Sequence, residues 1–586
     1  MNILGISAFY HDSAACLIQD GRIVACAQEE RFTRNKHDFS FPINAVNYCL
    51  KEGKIAVSDL DYVGFYEKPF LKFERILYSY LANFPLSYKA FLKALPFWLK
   101  EKIWIPHRIR KELGYEKDVL MIEHHLSHAA SSFLVSPFRE AAILTIDGVG
   151  EWAVATYGIG RENQIQLLKE QKFPHSLGLL YNAFTYYLGF QVNSDEYKVM
   201  GLAPYGRPVY TDLICRELVD LKEDGSFQLN MKYFPYDFSL SMMNQEFVDL
   251  FQTPPRLSSE PIQQRHMDLA ASIQKVAEEI MLKMARHLCE EAGLPNLCLA
   301  GGVTLNCVAN GRILRESGFK NFFIQPAAGD AGGAVGVAAY LYCTLLNNPR
   351  NFVWEHALWG PEFSDAEIEQ FLKERNLPYQ EASQAILIAS AARLLTQGKV
   401  IGWFQGRTEF GPRALGNRSI LADPRNSEMK DIVNKKIKFR EEFRPFAPAI
   451  LEERVSDYFE IDCPSPYMLL VAQVRPDKKD KIPAVTHVDG SARIQTVSQS
   501  ENGLFYSVLK EFERLTGCPV LLNTSFNLKG EPIVCTPQDA YFTFIRSGLD
   551  YLIMGSYILD KKDIKEAEQF VEKKVLPEET KTITIR

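Results

Sequence analysis

Two stretches of this chain repeat one local pattern, in which short apolar runs of strand type are joined by turns rich in Gly and Asp. Residues 3–8 (ILGISA) and 14–18 (AACLI), the turn Gln19-Asp20-Gly21 and then RIVACAQE make the first; AAILTIDGVGEWAVATYGIG at 141–160 makes the second. Two hairpin-led units in one chain predict a duplicated, sheet-based α/β fold. Between them and the middle of the chain, Asp268–Ala292 carries apolar residues at three-to-four spacing and runs into Gly293, which predicts a long helix with a glycine stop.

The pattern loosens between Asn347 and Phe363, where two prolines interrupt a stretch without periodicity, and a new helix is signalled at SDAEIEQFLKER. We place a domain boundary there, giving domains 1–350 and 351–586. A helix over Ala385–Gln397 and a strand over Val400–Phe404 open the second domain, and a charged, peripheral tail is expected from Lys561.

The 586 residues leave room for two large domains. A formal net charge of −6 argues against a nucleic-acid binder, whose domains tend to be strongly basic. Eleven cysteines without a CxxC pair or regular spacing indicate neither a disulfide framework nor a zinc ribbon, so a reducing, cytoplasmic setting is expected. The N-terminus has no basic n-region and reads as a first strand. Residues 68–117 are aromatic and aliphatic but never reach the roughly 20 apolar residues of a membrane span. Their eleven Lys/Arg against four Asp/Glu mark either a surface for an acidic partner or a solvated helical face.

Three glycine-bearing turns, at Gly5–Ser13, Asp147–Gly150 and Ala300–Asn306, stand where backbone amides can grip a phosphate. Each alone is an ordinary turn, but their order beside strands is similar to that of the actin, sugar-kinase and heat-shock ATPase superfamily. His124 and His128, four apart in EHHLSHAASSF, share one helical face about a turn apart, which lets two imidazoles hold one metal. A pair like this also occurs as plain structure. Asp147 and Asp330, each in a glycine turn, would complete a mixed N/O set suited to Fe(II), Mn or Zn. Asp195, Glu196 and Lys198 form a charged cluster that either lines a cleft or is a surface salt-bridge group.

In the second domain Arg413, Arg418, Arg444 and Arg493 lie close to glycines or prolines, and Lys438 sits in a more helix-like run. Forked guanidinium groups bind phosphate and carboxylate oxygens bidentately, so convergent arginines mark an anionic ligand. The alternative is that each pairs with a nearby acid such as Glu409 or Glu441. Asn523-Thr524-Ser525 follows the strand-like PVLL and would offer amide and hydroxyl donors at a strand end.

GISAFYHDSAACL, EERFTRNKHDFSFP, EHHLSHAASSF, TIDGVGEWA, DEYKVMGLAPYG, LAGGVTLN and PAAGDAGGA together resemble the NodU/CmcH/TobZ family of ATP-dependent O-carbamoyltransferases. The resemblance runs over nearly the whole chain and is weakest at residues 66–118. It implies an N-terminal domain of the actin/sugar-kinase/heat-shock ATPase type, similar to the tRNA threonylcarbamoyl-adenosine transferase, followed by a YrdC-like α/β domain. It further implies metal ligands His124, His128, Asp147 and Asp330, with Fe(II) or another divalent metal, and places His11 and Lys36 at the carbamoyl end. Gly148, Gly150, Gly301, Gly302 and Asn306 would hold nucleotide. Arg413, Lys438, Arg444, Arg493, Asn523 and Ser525 would bind carbamoyl phosphate and ATP with Mg2+, Arg418 ranking behind them. The partners implied are carbamoyl phosphate and a small-molecule hydroxyl acceptor, such as a natural product or sugar, in a monomer or homodimer, with neither nucleic acid nor membrane. A tRNA-modifying threonylcarbamoyl-type enzyme and a non-catalytic ATPase are the rival readings.

Overall fold

The computed structural model describes residues 1–564, and the part of the expected charged tail beyond them lies outside the described residues. The chain divides into two compact units. The first comprises Met1–Glu29 and Phe39–Trp354; the second comprises Glu30–Asp38 and the described residues from Glu355. The expected break near residue 350 thus falls close to the division, but the nine-residue excursion Glu30–Asp38 was not foreseen. Its cause is visible in its hydrogen bonds. Arg31 donates to the Gly411 carbonyl at 2.6 Å, and Arg34 to the Pro532 and Ile533 carbonyls at 2.9 and 2.6 Å.

The first unit holds two five-stranded sheets of one topology. Strands β1 (Asn2–Ser7), β2 (Ala14–Gln19), β3 (Arg22–Gln28), β4 (Tyr62–Phe65) and β5 (Val119–Met121) lie in the order β3-β2-β1-β4-β5. The second sheet uses β6 (Glu140–Ile146), β7 (Ala153–Arg161) and β8 (Gln164–Lys172). After a small ribbon of β9 (Val219–Leu221) and β10 (Phe227–Leu229), it adds β11 (Asn296–Ala300) and β12 (Asn321–Phe323), in the order β12-β11-β6-β7-β8. In both, the first three strands are an antiparallel meander and the last two run parallel to the first. This duplicated strand order is the fold of the actin, sugar-kinase and heat-shock ATPase class.

Between the sheets lie two helices that carry the site. The His124–Phe133 helix packs on β6 and β11, and the Gly333–Ala339 helix packs on β1 and β2. These two helices also pack on each other so closely that a Cβ on Gly336 would stand 1.8 Å from the Ser127 carbonyl oxygen. The run GAVGVAA is small because only small residues fit a helix held between a sheet and a second helix backbone. The long helix spans Gln264–Ala292 and stops at Gly293 in the left-handed conformation, φ 62°. It starts four residues before the first residue predicted from periodicity, Asp268.

The second unit is built, among the described residues, on a nine-stranded mixed sheet. Its strands are β13 (Gln380–Glu381), β14 (Ile401–Phe404), β15 (Arg418–Ala422), β16 (Ala447–Leu451), β17 (Leu470–Gln473), β18 (Ser491–Val497), β19 (Val520–Ser525), β20 (Tyr551–Met554) and β21 (Tyr557–Asp560). They lie in the order β13-β21-β20-β14-β15-β19-β16-β18-β17. The helix signalled at residue 364 is present over Asp365–Glu374, where Ser364 and Glu367 form a reciprocal capping box. Among the described residues no helix is long and apolar enough to cross a membrane.

Candidate metal and anion sites

The predicted metal ligands converge in the first unit. His124 and His128 begin the helix after β5, Asp147 follows β6, and Asp330 stands at the turn before the Gly333–Ala339 helix. All four are buried, and one ligand atom from each lies within 4.8 Å of the others. His124 Nε2 is 3.0 Å from Asp147 Oδ2, 3.1 Å from His128 Nε2 and 3.7 Å from Asp330 Oδ1; His128 Nε2 is 3.5 Å from that same oxygen.

Donors held ~2.1 Å from a common centre stand roughly 3.0 Å apart along an octahedral edge and about 3.4 Å along a tetrahedral one. The observed spacings span these values. Two imidazole nitrogens facing each other at 3.1 Å, beside a buried Asp330 Oδ1 without a hydrogen-bond donor among the described residues, are an arrangement that a shared cation would satisfy. The electrostatics agree. Burial alone would depress His124, but Asp330 and the bond to Asp147 outweigh it and lift the imidazole to about 9. Burial likewise opposes ionisation of Asp147, yet the His124 bond and the His128 charge hold its carboxyl well below the usual range. A potential that attracts a proton this strongly attracts a metal cation. The set therefore fits a divalent metal of the borderline class that takes imidazole and carboxylate.

His11 and three residues not anticipated, Glu151, Tyr66 and Asp12, complete the surroundings. The Glu151 carboxylate accepts the backbone N–H of His124 at 3.1 Å and that of Lys68 at 2.7 Å, fixing the start of the ligand helix. Tyr66 reaches Asp330 Oδ2 through its hydroxyl at 3.4 Å. His11, on the loop after β1, has Nδ1 3.0 Å from Asp12 Oδ2 and Nε2 3.6 Å from Asp330 Oδ2. Glu151 lies one residue past the quoted DGVG turn, so the motif itself carried a usable signal. Asp12 and Tyr66 carried none.

The glycine loops meet this cluster. Gly302 donates its N–H to Asp147 Oδ1 at 2.7 Å, and Gly301, at φ +99°, lies so close to the end of β6 that a Cβ would be 2.2 Å from the Ile146 carbonyl oxygen. Gly148 has open space where a side chain would be, whereas a Cβ on Gly150 would press on His124 and His125. Asn306 is committed elsewhere: it caps the Cys307–Glu316 helix by accepting from Ala309 N–H, and its amide exchanges hydrogen bonds with Gln274. Asp195 and Lys198 form an ion pair at 2.9 Å.

Lys36 lies in the Glu30–Asp38 segment of the second unit, and its charge acts on Lys438. That lysine is the centre of the second cluster. Buried at the end of a turn of π-helix, its ammonium donates to the Ser525 carbonyl (2.7 Å), the Ser525 hydroxyl (3.2 Å), the Asn527 carbonyl (2.9 Å) and Asn527 Oδ1. Burial, reinforced by Arg440, Arg444 and Lys36, pushes it well below the usual lysine range, with Glu531 opposing.

The other predicted residues join through the sheet. Asn523 and Ser525 alternate on one face of β19, Arg493 and Gln495 on one face of β18. The Asn523 amide donates to Gln495 Oε1 at 2.7 Å and to the Ala414 carbonyl at 3.2 Å, which ties that face to the loop bearing Arg413. Glu409 organises this loop by accepting the N–H groups of Leu415, Asn417 and Arg418 at 2.7, 2.8 and 3.2 Å. Arg444 pairs with Glu441 at 3.6 Å. Arg418 is a scaffold residue: fully buried and stacked 3.7 Å over Phe404, it donates to the carbonyls of Pro361, Gln405, Gly406 and Asn417.

Comparison with known proteins agrees over most of the chain. A family model described as carbamoyltransferase N-terminus matches residues 2–339, and one described as carbamoyltransferase C-terminus matches residues 392–561. An uncharacterized Synechocystis protein, sll1178, is 52% identical over 97% of this chain and 98% of its own. Nodulation protein NolNO of Sinorhizobium fredii is 39% identical, covering 95% of this chain and 80% of its own, and nodulation protein U of Rhizobium tropici is 31% identical over 90% and 91%. A HypF structure in a phosphate- and nucleotide-bound form matches 60% of this chain and 56% of its own at 11% identity and a TM-score of 0.31; the fold assignment rests on strand order instead. With both halves matched in order and relatives aligned nearly end to end, this chain belongs to the carbamoyltransferase family, enzymes that transfer a carbamoyl group.

Proposed function

We propose that the chain is an ATP-dependent O-carbamoyltransferase in which the second unit makes carbamoyladenylate and the first passes its carbamoyl group to a hydroxyl of a small-molecule acceptor. The observation that carries this reading is the presence of two chemically different sites: a cationic cluster of Arg440 and Arg444 around Lys438, and a buried His/Asp cluster with glycine loops against it.

In the second unit, water cleaves carbamoyl phosphate to carbamate and phosphate. A carbamate oxygen then attacks the α-phosphorus of ATP, supplied with Mg2+, and the bond to pyrophosphate breaks. Arg413, Arg444 and Arg493 bind the phosphoryl oxygens and neutralise the charge that builds on them. Lys438 starts with its ammonium turned onto Ser525 and Asn527, and an arriving anion competes for it. Asn523, held by Gln495, orients the strand end beside them.

In the first unit, the glycine loops at Gly148 and at Gly301–Gly302 carry no side chain and let the nucleotide portion approach the backbone closely. His124, His128, Asp147 and Asp330 hold the divalent metal, for which Fe(II) is our assignment; when bound, it supplies Lewis acidity toward substrate oxygens. His11 has a carboxylate oxygen near each ring nitrogen, which favours the protonated ring, and it serves as a cation beside the carbonyl that gains negative charge. The acceptor oxygen bonds to the carbamoyl carbon, the mixed anhydride breaks, and AMP and a proton leave. Purified protein given ATP, carbamoyl phosphate and a competent acceptor should release AMP and pyrophosphate in equal amounts; ADP as the nucleotide product would rule the adenylate route out.

A further inference from the structure

The segment Pro69–Lys100 is a helical hairpin turned inside out. In the helix Pro69–Ala82 the buried residues are Pro69, Lys72, Arg75 and Ser79. Lys72 pairs with Glu67 at 2.5 Å and lies over the Tyr10 ring, and Arg75 lies over the Phe173 ring. The opposite side presents Phe70, Tyr78 and Leu81, all exposed, with the exposed Glu74 among them. A helix on a water-soluble body shows the reverse, with its apolar stripe on the core and its charges in solvent.

The apolar surface continues past this helix. At the hairpin tip Phe84 is 68% exposed and Leu86 73%, values that leave both side chains almost wholly outside the fold. On the second helix, Tyr88–Lys100, the exposed Tyr88, Leu92 and Leu99 fall within about 40° of one another around the axis, and Lys89, Lys93 and Lys100 form a parallel stripe about 100° round from them. Trp104 extends the exposed surface just beyond. Aromatic and aliphatic side chains rimmed by lysines on a short helix are what a bilayer interface takes up, the rings and leucines entering the headgroup boundary and the ammonium groups meeting anionic phosphates.

We propose that this hairpin docks the protein on an anionic membrane surface, lying in the interface without crossing it. Charge decides the occupant. The hairpin Pro69–Lys100 holds five Lys/Arg, of which Lys89, Lys93 and Lys100 are exposed, against the single acid Glu74, in a chain whose net charge is −6, so it is locally cationic. A second copy facing the same hairpin would set lysine stripe against lysine stripe, whereas an anionic bilayer meets both the charge and the apolar surface. The proposal replaces the expectation that no membrane is involved, and it stands independently of the adenylate route.

Co-sedimentation of the full chain with phosphatidylcholine vesicles, with and without about a quarter phosphatidylglycerol, tests it. The wild type should pellet with the anionic vesicles and far less with phosphatidylcholine alone. Phe84→Ser/Leu86→Ser should weaken partitioning by about tenfold or more, and Lys89→Glu/Lys93→Glu should abolish the preference for anionic lipid. Both variants alter exposed side chains outside the proposed sites, so pyrophosphate release from ATP and carbamoyl phosphate should stay at the wild-type level, which separates failed docking from failed chemistry. Wild type left in the supernatant with both vesicles, or Phe84→Ser/Leu86→Ser binding as tightly as wild type, overturns the proposal. So does light scattering that shows a dimer which that variant splits, because the hairpin would then be covered by a second copy.

Discussion

The Nε2 atoms of His124 and His128 lie 3.1 Å apart, one helical turn from each other, inside the layer between two sheets of identical topology. Each imidazole occupies the position from which the other could be satisfied only by a shared proton or a shared cation, and the two carboxylates beside them favour the cation. Asp330→Asn keeps the volume and removes one negative ligand, so it should lower the affinity for a divalent metal by at least about 100-fold in a chelator-competition titration, with the fold retained by circular dichroism.

Glu151 acts one step further out, through the two backbone N–H groups it accepts at the start of the ligand helix. Glu151→Gln keeps the shape but weakens the acceptor. Metal affinity should fall by roughly tenfold, less than for Asp330→Asn, because the ligand helix loosens while all four ligands remain. An equal or larger loss would make Glu151 a ligand itself.

The closeness of the two central helices gives a stability prediction. Gly336→Ala forces its Cβ toward the Ser127 carbonyl, and the helix backbones must part to admit it. The cost should be at least ~1–3 kcal/mol, read as a lowered denaturant midpoint with unchanged slope.

Lys438 makes the second unit pH-sensitive with a definite sign. An unfolded lysine keeps its proton to about pH 10.4, while burial and the cations Arg440, Arg444 and Lys36 make the folded one release it at a lower pH. Between those values the unfolded chain binds more protons, so this group's contribution to stability rises with pH across the window and is lost as pH falls through it. Lys438→Met should flatten that dependence in unfolding titrations. An arriving phosphate anion favours the ammonium form, so within the pH window where the folded lysine titrates, carbamoyl phosphate binding should be linked to proton uptake, seen by calorimetry in buffers of different ionisation enthalpy, and Lys438→Met should abolish that linkage.

Much of this was legible in the sequence because it is local. The four-residue spacing of His124 and His128 needs only a helix to become a paired face, and the two hairpin units foretold a duplicated fold by their order alone. What escaped depended on distant parts of the chain. Lys36 sits in the motif EERFTRNKHDFSFP, whose assignment to the second unit was not readable locally because Arg31 and Arg34 anchor it to carbonyls 380 and 499 residues away. Asn306 looked like a nucleotide residue from its glycine neighbours, but its side chain was claimed by Ala309 and Gln274. Arg418 resembled its neighbours in sequence and differs only in being surrounded by carbonyls. In Pro69–Ala82, periodicity separates two helical faces without saying which one faces solvent, and here the polar face is the buried one.

The division of labour between the two units is the central claim, and one experiment reads it directly. Carbamoyl phosphate labelled in its carbamoyl group is incubated with ATP and the purified variants His128→Ala and Arg444→Ala, with and without acceptor, and labelled carbamoyladenylate and labelled acceptor are separated after a single turnover. The account predicts that His128→Ala accumulates carbamoyladenylate and labels no acceptor, whereas Arg444→Ala forms neither. Loss of adenylate formation in a folded His128→Ala protein, or carbamoyladenylate at the wild-type level in Arg444→Ala, would contradict it.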